Sequence, residues 1–125
     1  YRLERYLDGP VVEGHLNMVH RDDAAVAVAF LLDNPTHHDV VLVVDDEPVS
    51  RWTFADWLAE QCDRDPPAKE TVDDRLDDDL SEAARRRLLT DKRCSNDRLR
   101  DLGYDFEYPT FREGYREAVA AYLDS

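Results

Sequence analysis

The chain has 125 residues, of which 42% are hydrophobic, and this is enough for one domain with a buried core. Acidic residues outnumber basic ones by 29 to 16, and the formal net charge is −13. A surface of this charge repels phosphate backbones and anionic lipid, which argues against nucleic-acid and membrane partners. The same acidity is typical of proteins kept soluble at high salt, so we interpret the chain as halophilic and cytoplasmic.

The first quarter of the chain predicts two helices and one strand. They are a helix over residues 2–7, a strand over 15–20 and a helix that ends near Leu32. Asp22 or Asp23 is expected to cap the second helix, because aspartate accepts hydrogen bonds from the free N–H groups of a first turn.

Residues 39–44 read DVVLVV and predict the clearest strand of the chain. A continuous β-branched run is typical of a strand buried on both faces, as in a parallel sheet. Such a strand needs a neighbour on each edge, and this chain has few strands to offer. The pattern therefore predicts that part of a sheet lies outside this chain.

The second half predicts further helices separated by polar segments. Ser50 is expected to cap a helix over 51–62, residues 68–80 are polar and irregular, and Asp79–Glu82 has capping-box spacing for a helix that ends at Leu89. A two-turn helix follows over 96–102, and Thr110–Glu113 is a capping box for the last helix. Short strands set among helices predict an α/β chain that is mostly helical.

His20 and Arg21 stand where a strand is expected to meet a helix N-terminus, which is a favourable place for an anionic ligand. Alternatively, His20 is a packing residue and Arg21 pairs with a nearby carboxylate. The acidic run at 73–82 lacks the alternate spacing and central glycine of an EF-hand loop, so no metal site is predicted. No catalytic motif is present in the chain.

Four segments, NMVHRDDAA, DDEPVS, SNDRLRDLGY and YPTFREGY, occur in that order along the chain. In this order and spacing the chain resembles the C-terminal half of extended or atypical short-chain dehydrogenase/reductases, the NAD-dependent epimerase/dehydratase family. The resemblance implies that residues 1–125 form a single C-terminal substrate-binding domain or fragment. Strand 39–44 would then complete a nucleotide-binding sheet whose Rossmann half is absent from this chain.

The resemblance also implies an activity for the whole protein. NAD or NADP would be bound by the missing N-terminal half, which would also supply the catalytic Tyr-x-x-x-Lys; this chain has no such motif. The substrate would be a nucleotide-sugar or another small molecule with a hydroxyl or carbonyl group. This chain would be inactive alone, so whether it is an enzyme depends on the other half. The start at Tyr1, with Met18 as the only methionine, agrees with a fragment or a processed product.

The resemblance further implies which residues bind substrate. Asn17 and His20 would lie near the cleft with Arg21, and Asp23 would cap the helix that follows. Arg93, with Lys92 as the competing candidate, would hold a nucleotide-sugar phosphate, for which an arginine fork is well suited.

An alternative belongs to another class of function, an acidic protein-interaction module without catalysis. It would bind a partner through exposed aromatic side chains, namely Trp52, Trp57, Tyr104, Tyr108 and Phe111. The two hypotheses predict different surfaces. The substrate-binding half should expose an apolar surface around residues 24–32 and 39–44, hidden by self-association into a homo-oligomer, whereas the module should expose no apolar face.

Overall fold

The computed structural model describes residues 3–76 and 79–125, and the chain divides into two compact units. The first unit consists of Tyr1–Leu16, Val49–Lys92 and Glu117–Ser125. The second unit consists of Asn17–Pro48 and Arg93–Arg116.

The described residues form short strands among helices. The helices are α1 (Glu4–Asp8), α2 (Arg21–Asp33), α3 (Arg51–Gln61), α4 (Val72–Leu76), α5 (Glu82–Leu89), α6 (Asp97–Asp101), α7 (Phe111–Gly114) and α8 (Arg116–Asp124). The strands are β1 (Val11–Val12), β2 (His15–Leu16), β3 (Val49–Ser50) and β4 (Lys69–Glu70). β1 pairs with β4 in parallel and β2 pairs with β3 antiparallel. The prediction of an α/β chain with much helix and few short strands is confirmed. Within the described ranges, no helix is long and apolar enough to cross a membrane.

The core of the first unit is built around α3. Ser50 caps this helix as predicted, because its side chain accepts a hydrogen bond from the Thr53 N–H at 3.0 Å. Phe54 and Leu58 lie on one face of the helix and are fully buried, and Tyr6 of α1 packs edge-on against Phe54. Burying large apolar side chains of this kind contributes about 2 kcal/mol each.

The core of the second unit lies between α2 and the segment that contains α6. Ala27, Leu99 and Tyr104 are its buried centre. Partly buried side chains complete it, namely Phe30, Leu31, Val41, Val43 and Phe106. The Tyr104 ring meets Phe30 and Phe106 edge-on, a favourable geometry for aromatic pairs.

Residues 39–44 pair with no strand in the described part of this chain, so their predicted place in a sheet that lies partly outside it stays a prediction. Val41 and Val43 face the second unit's core, whereas Val40 and Leu42 are 59% and 44% exposed. A strand exists only where a neighbouring backbone pairs with it, and no described residue does so here. The main chain instead accepts side-chain donors, with Arg98 bonding to the carbonyl of Val40 at 2.9 Å.

Several predicted helix boundaries also differ. His20, not Asp22 or Asp23, caps α2, and Ser81, not Asp79, caps α5 by accepting from the Ala84 N–H. The capping box at Thr110 is confirmed, but the last helical segment is two helices, α7 and α8. The segment at 68–80, expected to be irregular, contains β4 and α4, while its residues 77 and 78 lie outside the described part of the chain. Residue 2 of the first predicted helix also lies outside it.

The second unit exposes a set of apolar side chains, as expected for residues 24–32 and 39–44. They are Val26, Val28, Leu32, Val40 and Leu42, with exposed fractions between 44% and 77%. The alternative hypothesis expects exposed aromatic side chains. Two of these, Tyr104 and Phe111, are buried, with exposed fractions of 4% and 1%. The interaction module therefore lacks part of its expected binding surface and has the apolar face that it should not have.

Candidate functional site

A cleft of about 710 Å³ in the first unit is lined by four arginines. The arginine cleft, as we call it, is formed by Arg5, Tyr6, Gly9, Pro10, Val11, Val12, Arg51, Arg75, Leu80, Ala84, Arg87 and Leu88. These residues come from α1, β1, the start of α3, α4 and α5 with the segment before it. The chain carries 29 acidic residues, yet no carboxylate is among these described lining residues. The charged side chains in the described lining of the cleft are thus all positive, although one of them, Arg75, is paired with Glu70.

Two of the four arginines are held in place by the unit itself. Arg75 forms an ion pair with Glu70 of β4, and its guanidinium donates to the carbonyl oxygen of Pro10 at 3.3 Å. Arg51 donates to the carbonyl oxygen of Glu13, also at 3.3 Å. Both side chains are half-buried, so they are pre-oriented before any ligand arrives.

Gly14 makes room for Arg51. Its φ angle is 123°, which L side chains rarely adopt, and a Cβ atom at this position would collide with the Arg51 guanidinium. The Arg51 N–H also donates to the carbonyl oxygen of Gly14 at 2.7 Å, which fixes the start of α3 against this turn. The glycine therefore determines where one wall of the cleft lies.

Arg5 and Arg87 complete the cleft from α1 and α5. Both are exposed, and neither forms an ion pair with another residue in the ranges 3–76 and 79–125. A guanidinium presents five N–H donors in a planar fork that matches phosphate and carboxylate oxygens. The apolar side chains of Val11, Val12 and Leu88 offer contact area for an uncharged part of the same ligand. The arrangement can therefore hold an organic anion.

The predicted site residues Asn17, His20 and Arg21 lie in the second unit. The Asn17 side-chain oxygen accepts from the Cys94 N–H at 2.7 Å. His20 has a side chain that is 4% exposed; its Nδ1 accepts from the Asp22 N–H at 3.1 Å. The His20 ring stacks on Tyr108 at 3.8 Å. Arg21 points outward with a side chain 77% exposed.

The two candidates for the phosphate contact fall in different units. Lys92 ends the middle segment of the first unit, and Arg93 begins the last segment of the second. Both are exposed, and neither lines the arginine cleft. Asn17 is bonded to the main chain of Cys94, the residue next to Arg93, and the role of these residues in substrate binding stays a prediction.

Asp23 holds the second unit together and does not cap α2. Its carboxylate is 2% exposed and accepts from the Tyr104 hydroxyl at 2.7 Å, the Glu107 N–H at 3.0 Å and the Tyr108 N–H at 2.8 Å. Burial, together with this carboxylate, raises the pKa of Tyr104. The N-terminus of α2 is consequently a packed junction in which the histidine and the aspartate both serve the fold.

Sequence reasoning missed the arginine cleft because its members are far apart along the chain. Residues 5, 51, 75 and 87 share no motif, and only tertiary structure brings them together. One signal was available, since arginine is concentrated in the run at 85–87 of a strongly acidic chain. Among these three arginines, only Arg87 lines the cleft.

The residues of this chain do not fit a dinucleotide cofactor. Such a cofactor takes its pyrophosphate at a glycine-rich turn between a strand and a helix. In the described part of the chain, β2, β3 and β4 each lead to a helix, and none of these connections contains a glycine.

Two of the solved structures that match this chain share its fold over most of its length. One is a functionally unknown conserved protein from Silicibacter pomeroyi, with a TM-score of 0.70 and 29% sequence identity over 86% of this chain and 38% of its own. The other is a candidate NAD-dependent epimerase/dehydratase from Methylobacillus flagellatus, with a TM-score of 0.64 and 22% identity over 98% of this chain and 42% of its own.

The chain has the fold of part of these two proteins. It spans about two-fifths of the length of each. No protein-family model and no curated protein matches it. The epimerase/dehydratase resemblance is therefore supported at the level of the fold.

Proposed function

We propose that this chain is the substrate-binding part of an NAD(P)-dependent epimerase/dehydratase-like oxidoreductase. Its substrate is a small molecule that carries an anionic group and a hydroxyl or carbonyl group, as a nucleotide-sugar does. The observation that carries this proposal is the arginine cleft, which four arginines line and whose described lining contains no carboxylate. The fold shared with the Methylobacillus flagellatus protein supports the class of activity.

In this proposal the chain binds and orients the substrate, and another part of the protein binds the cofactor. Arg51 and Arg75 are pre-oriented to fix the anionic end of the substrate. Holding one end of a substrate in this way orients its reacting group and lowers the entropic cost of the reaction. The cofactor supplies the hydride chemistry in this proposal, and it is bound outside the arginine cleft.

The apolar side chains exposed on the second unit have a place in the same proposal. Both structural neighbours continue well beyond the part that matches this chain. We assign the surface formed by Val26, Val28, Leu32, Val40 and Leu42 to contact with a nucleotide-binding part. There, residues 39–44 would gain the neighbouring strands that they lack here.

Replacing Arg87 with glutamine is expected to weaken the binding of pyrophosphate about tenfold, because one charge-assisted hydrogen bond is lost. Isothermal titration calorimetry of the chain with pyrophosphate measures this. The matched control is Arg85→Gln, which removes an equal charge from an exposed position of α5 that does not line the cleft. Equal losses in the two variants would mean that only net charge matters, and the arginine cleft would not be the anion site.

The cofactor part of the proposal is tested on the longer gene product. The coding sequence upstream of Tyr1 is read, and the full-length protein is titrated with NADH and NADPH. Enhanced fluorescence of one dinucleotide on binding is the expected result. A full-length protein that binds neither dinucleotide would refute the oxidoreductase assignment and leave an anion-binding protein.

A further inference from the structure

Glu13, in the turn that follows β1, is bonded to both elements that carry the pre-oriented arginines of the cleft. Its carbonyl oxygen accepts from the Arg51 guanidinium at 3.3 Å. Its side-chain carboxylate accepts from the N–H of Val72 at 2.8 Å, and Val72 is the first residue of α4. Arg75 lies on the same helix, less than one turn further on. A single residue therefore reaches the supports of two guanidinium groups.

The start of α4 is also stabilised by its own residues. The Thr71 hydroxyl accepts from the Asp74 N–H at 3.1 Å, and the Asp74 carboxylate accepts from the Thr71 N–H at 3.0 Å. This reciprocal pair has the arrangement of a capping box, which stabilises a first turn wherever the helix lies. Glu13 comes from 59 positions away, and its bond to Val72 ties the helix to the turn after β1. The local pair thus determines that the helix begins here, and Glu13 determines where it lies.

The position of α4 matters because both contacts of Arg75 lie on or beside the neighbouring strands. Its ion-pair partner Glu70 belongs to β4, and its acceptor Pro10 directly precedes β1. A guanidinium at the end of a long side chain keeps both contacts only while the helix stays close to the paired strands β1 and β4. Displacing α4 would release Arg75 into many rotamers, and a ligand would then have to order the side chain again.

The turn that contains Glu13 is itself held on both sides of Gly14. One Asp91 carboxylate oxygen accepts from the main-chain N–H of His15 at 2.8 Å, and the other lies 2.9 Å from Nδ1 of the His15 ring. The N–H of Glu13 donates to the carbonyl oxygen of Glu70 at 3.1 Å. Glu13 is therefore a fixed point against which the helix can be placed.

We infer that Glu13 is a positioning residue of the arginine cleft, whose main chain orients Arg51 and whose carboxylate places α4 with Arg75. Glu13 is not among the residues that line the cleft; it lines an adjoining pocket that shares Arg51 and Leu88 with the cleft. By its charge alone, a carboxylate beside an anion site weakens anion binding. The positioning role acts in the opposite direction. This role rests on the anion site of the proposed function and adds how that site is assembled before a ligand arrives.

Two variants of Glu13 separate the reach of the side chain from its charge. Glu13→Asp keeps the charge but is one methylene shorter, so its carboxylate no longer reaches the Val72 N–H. Glu13→Gln keeps an acceptor oxygen at the original length and removes the charge. In isothermal titration calorimetry of the chain with pyrophosphate, Glu13→Asp is expected to bind about fivefold more weakly than wild type. Glu13→Gln is expected to bind about twofold more tightly, because the placement of α4 is kept and a negative charge is lost.

Hydrogen exchange at the Val72 amide reports the bond directly, and it should be faster in Glu13→Asp than in wild type or Glu13→Gln. Glu60→Asp is the matched control, because Glu60 is an exposed glutamate of α3 that lines neither the cleft nor the adjoining pocket. It should keep the wild-type affinity. Wild-type affinity in Glu13→Asp, or a loss of affinity in Glu13→Gln as well, would overturn the positioning role and leave the anion site intact. Failure of the wild type to bind pyrophosphate would overturn the anion site itself, so the two failures can be told apart.

Discussion

Replacing Asp23 with asparagine is expected to lower the free energy of unfolding by about 3 kcal/mol. The carboxylate accepts three hydrogen bonds from the segment at 104–108, two at Oδ1 and one at Oδ2. An asparagine keeps the Oδ1 contacts but turns an NH₂ group toward the Tyr108 N–H, so that two donors face each other. Because Asp23 is only 2% exposed, water cannot satisfy them.

Urea unfolding followed by circular dichroism measures the decrease in the free energy of unfolding. Hydrogen exchange of the Glu107 and Tyr108 amides shows whether the destabilisation is confined to this segment. Asp22→Asn is the matched control, because Asp22 is the exposed neighbour in the same first turn of α2. The Asp22→Asn substitution should lower the free energy of unfolding by less than about 1 kcal/mol, which is the usual contribution of a favourable charge at a helix N-terminus. Similar losses for the two variants would show that Asp23 acts only through the helix dipole.

Replacing Asp45 with asparagine is expected to stabilise the chain at neutral pH. Burial raises the pKa of Asp45 from 3.8 to about 6, with Asp46, Glu47 and Glu113 adding negative charge nearby. A carboxyl whose pKa is raised by folding takes up protons in the folded state, so its ionisation costs stability as the pH rises from about 4 to 6. The full cost, roughly 3 kcal/mol, is present above pH 6.

The measurement is the difference in unfolding free energy between Asp45→Asn and wild type at several pH values. The difference should be roughly 3 kcal/mol in favour of asparagine at about pH 8 and roughly half of that at about pH 5. Asp39→Asn, an exposed position in the same segment, serves as the control and should show no such trend. A difference that does not change with pH would mean that Asp45 is ionised normally in the folded chain.

Local features of the fold could be predicted from the sequence. Ser50 and Thr110 accept hydrogen bonds from N–H groups two or three residues away, so the pattern that predicts each cap lies within one turn of helix. Gly103 adopts a φ of 103° after α6, which a C-terminal glycine predicts. The information needed at these places is contained in a few consecutive residues.

Features that depend on distant residues were not predictable. Asp23 looked like a helix cap, because aspartate before a helical pattern is a good cap, but its partners are 81 to 85 residues away. Residues 39–44 looked like a buried strand, because the pattern shows apolarity and not whether a neighbouring strand exists. The arginine cleft depends on four positions between residues 5 and 87.

The motifs that carry the resemblance have architectural roles in the second unit. Asn96, in the SNDRLRDLGY segment, donates to the carbonyl of Val44 and to the carboxylate of Asp46. Thr110 and Glu113, in YPTFREGY, form the capping box of α7. These segments preserve the fold, so a match to them identifies an architecture more readily than a substrate.

The pairing of His15 with Asp91 has a consequence for the order of folding. The two residues are 76 positions apart, so the histidine leaves the ribosome well before its partner. At the usual rate of synthesis this delay is roughly 4 to 15 s. Contacts of such long range also slow folding in general. The contact between His15 and Asp91 therefore forms late, after β1 and β2 can already have paired with β4 and β3, whose residues are synthesised before residue 91.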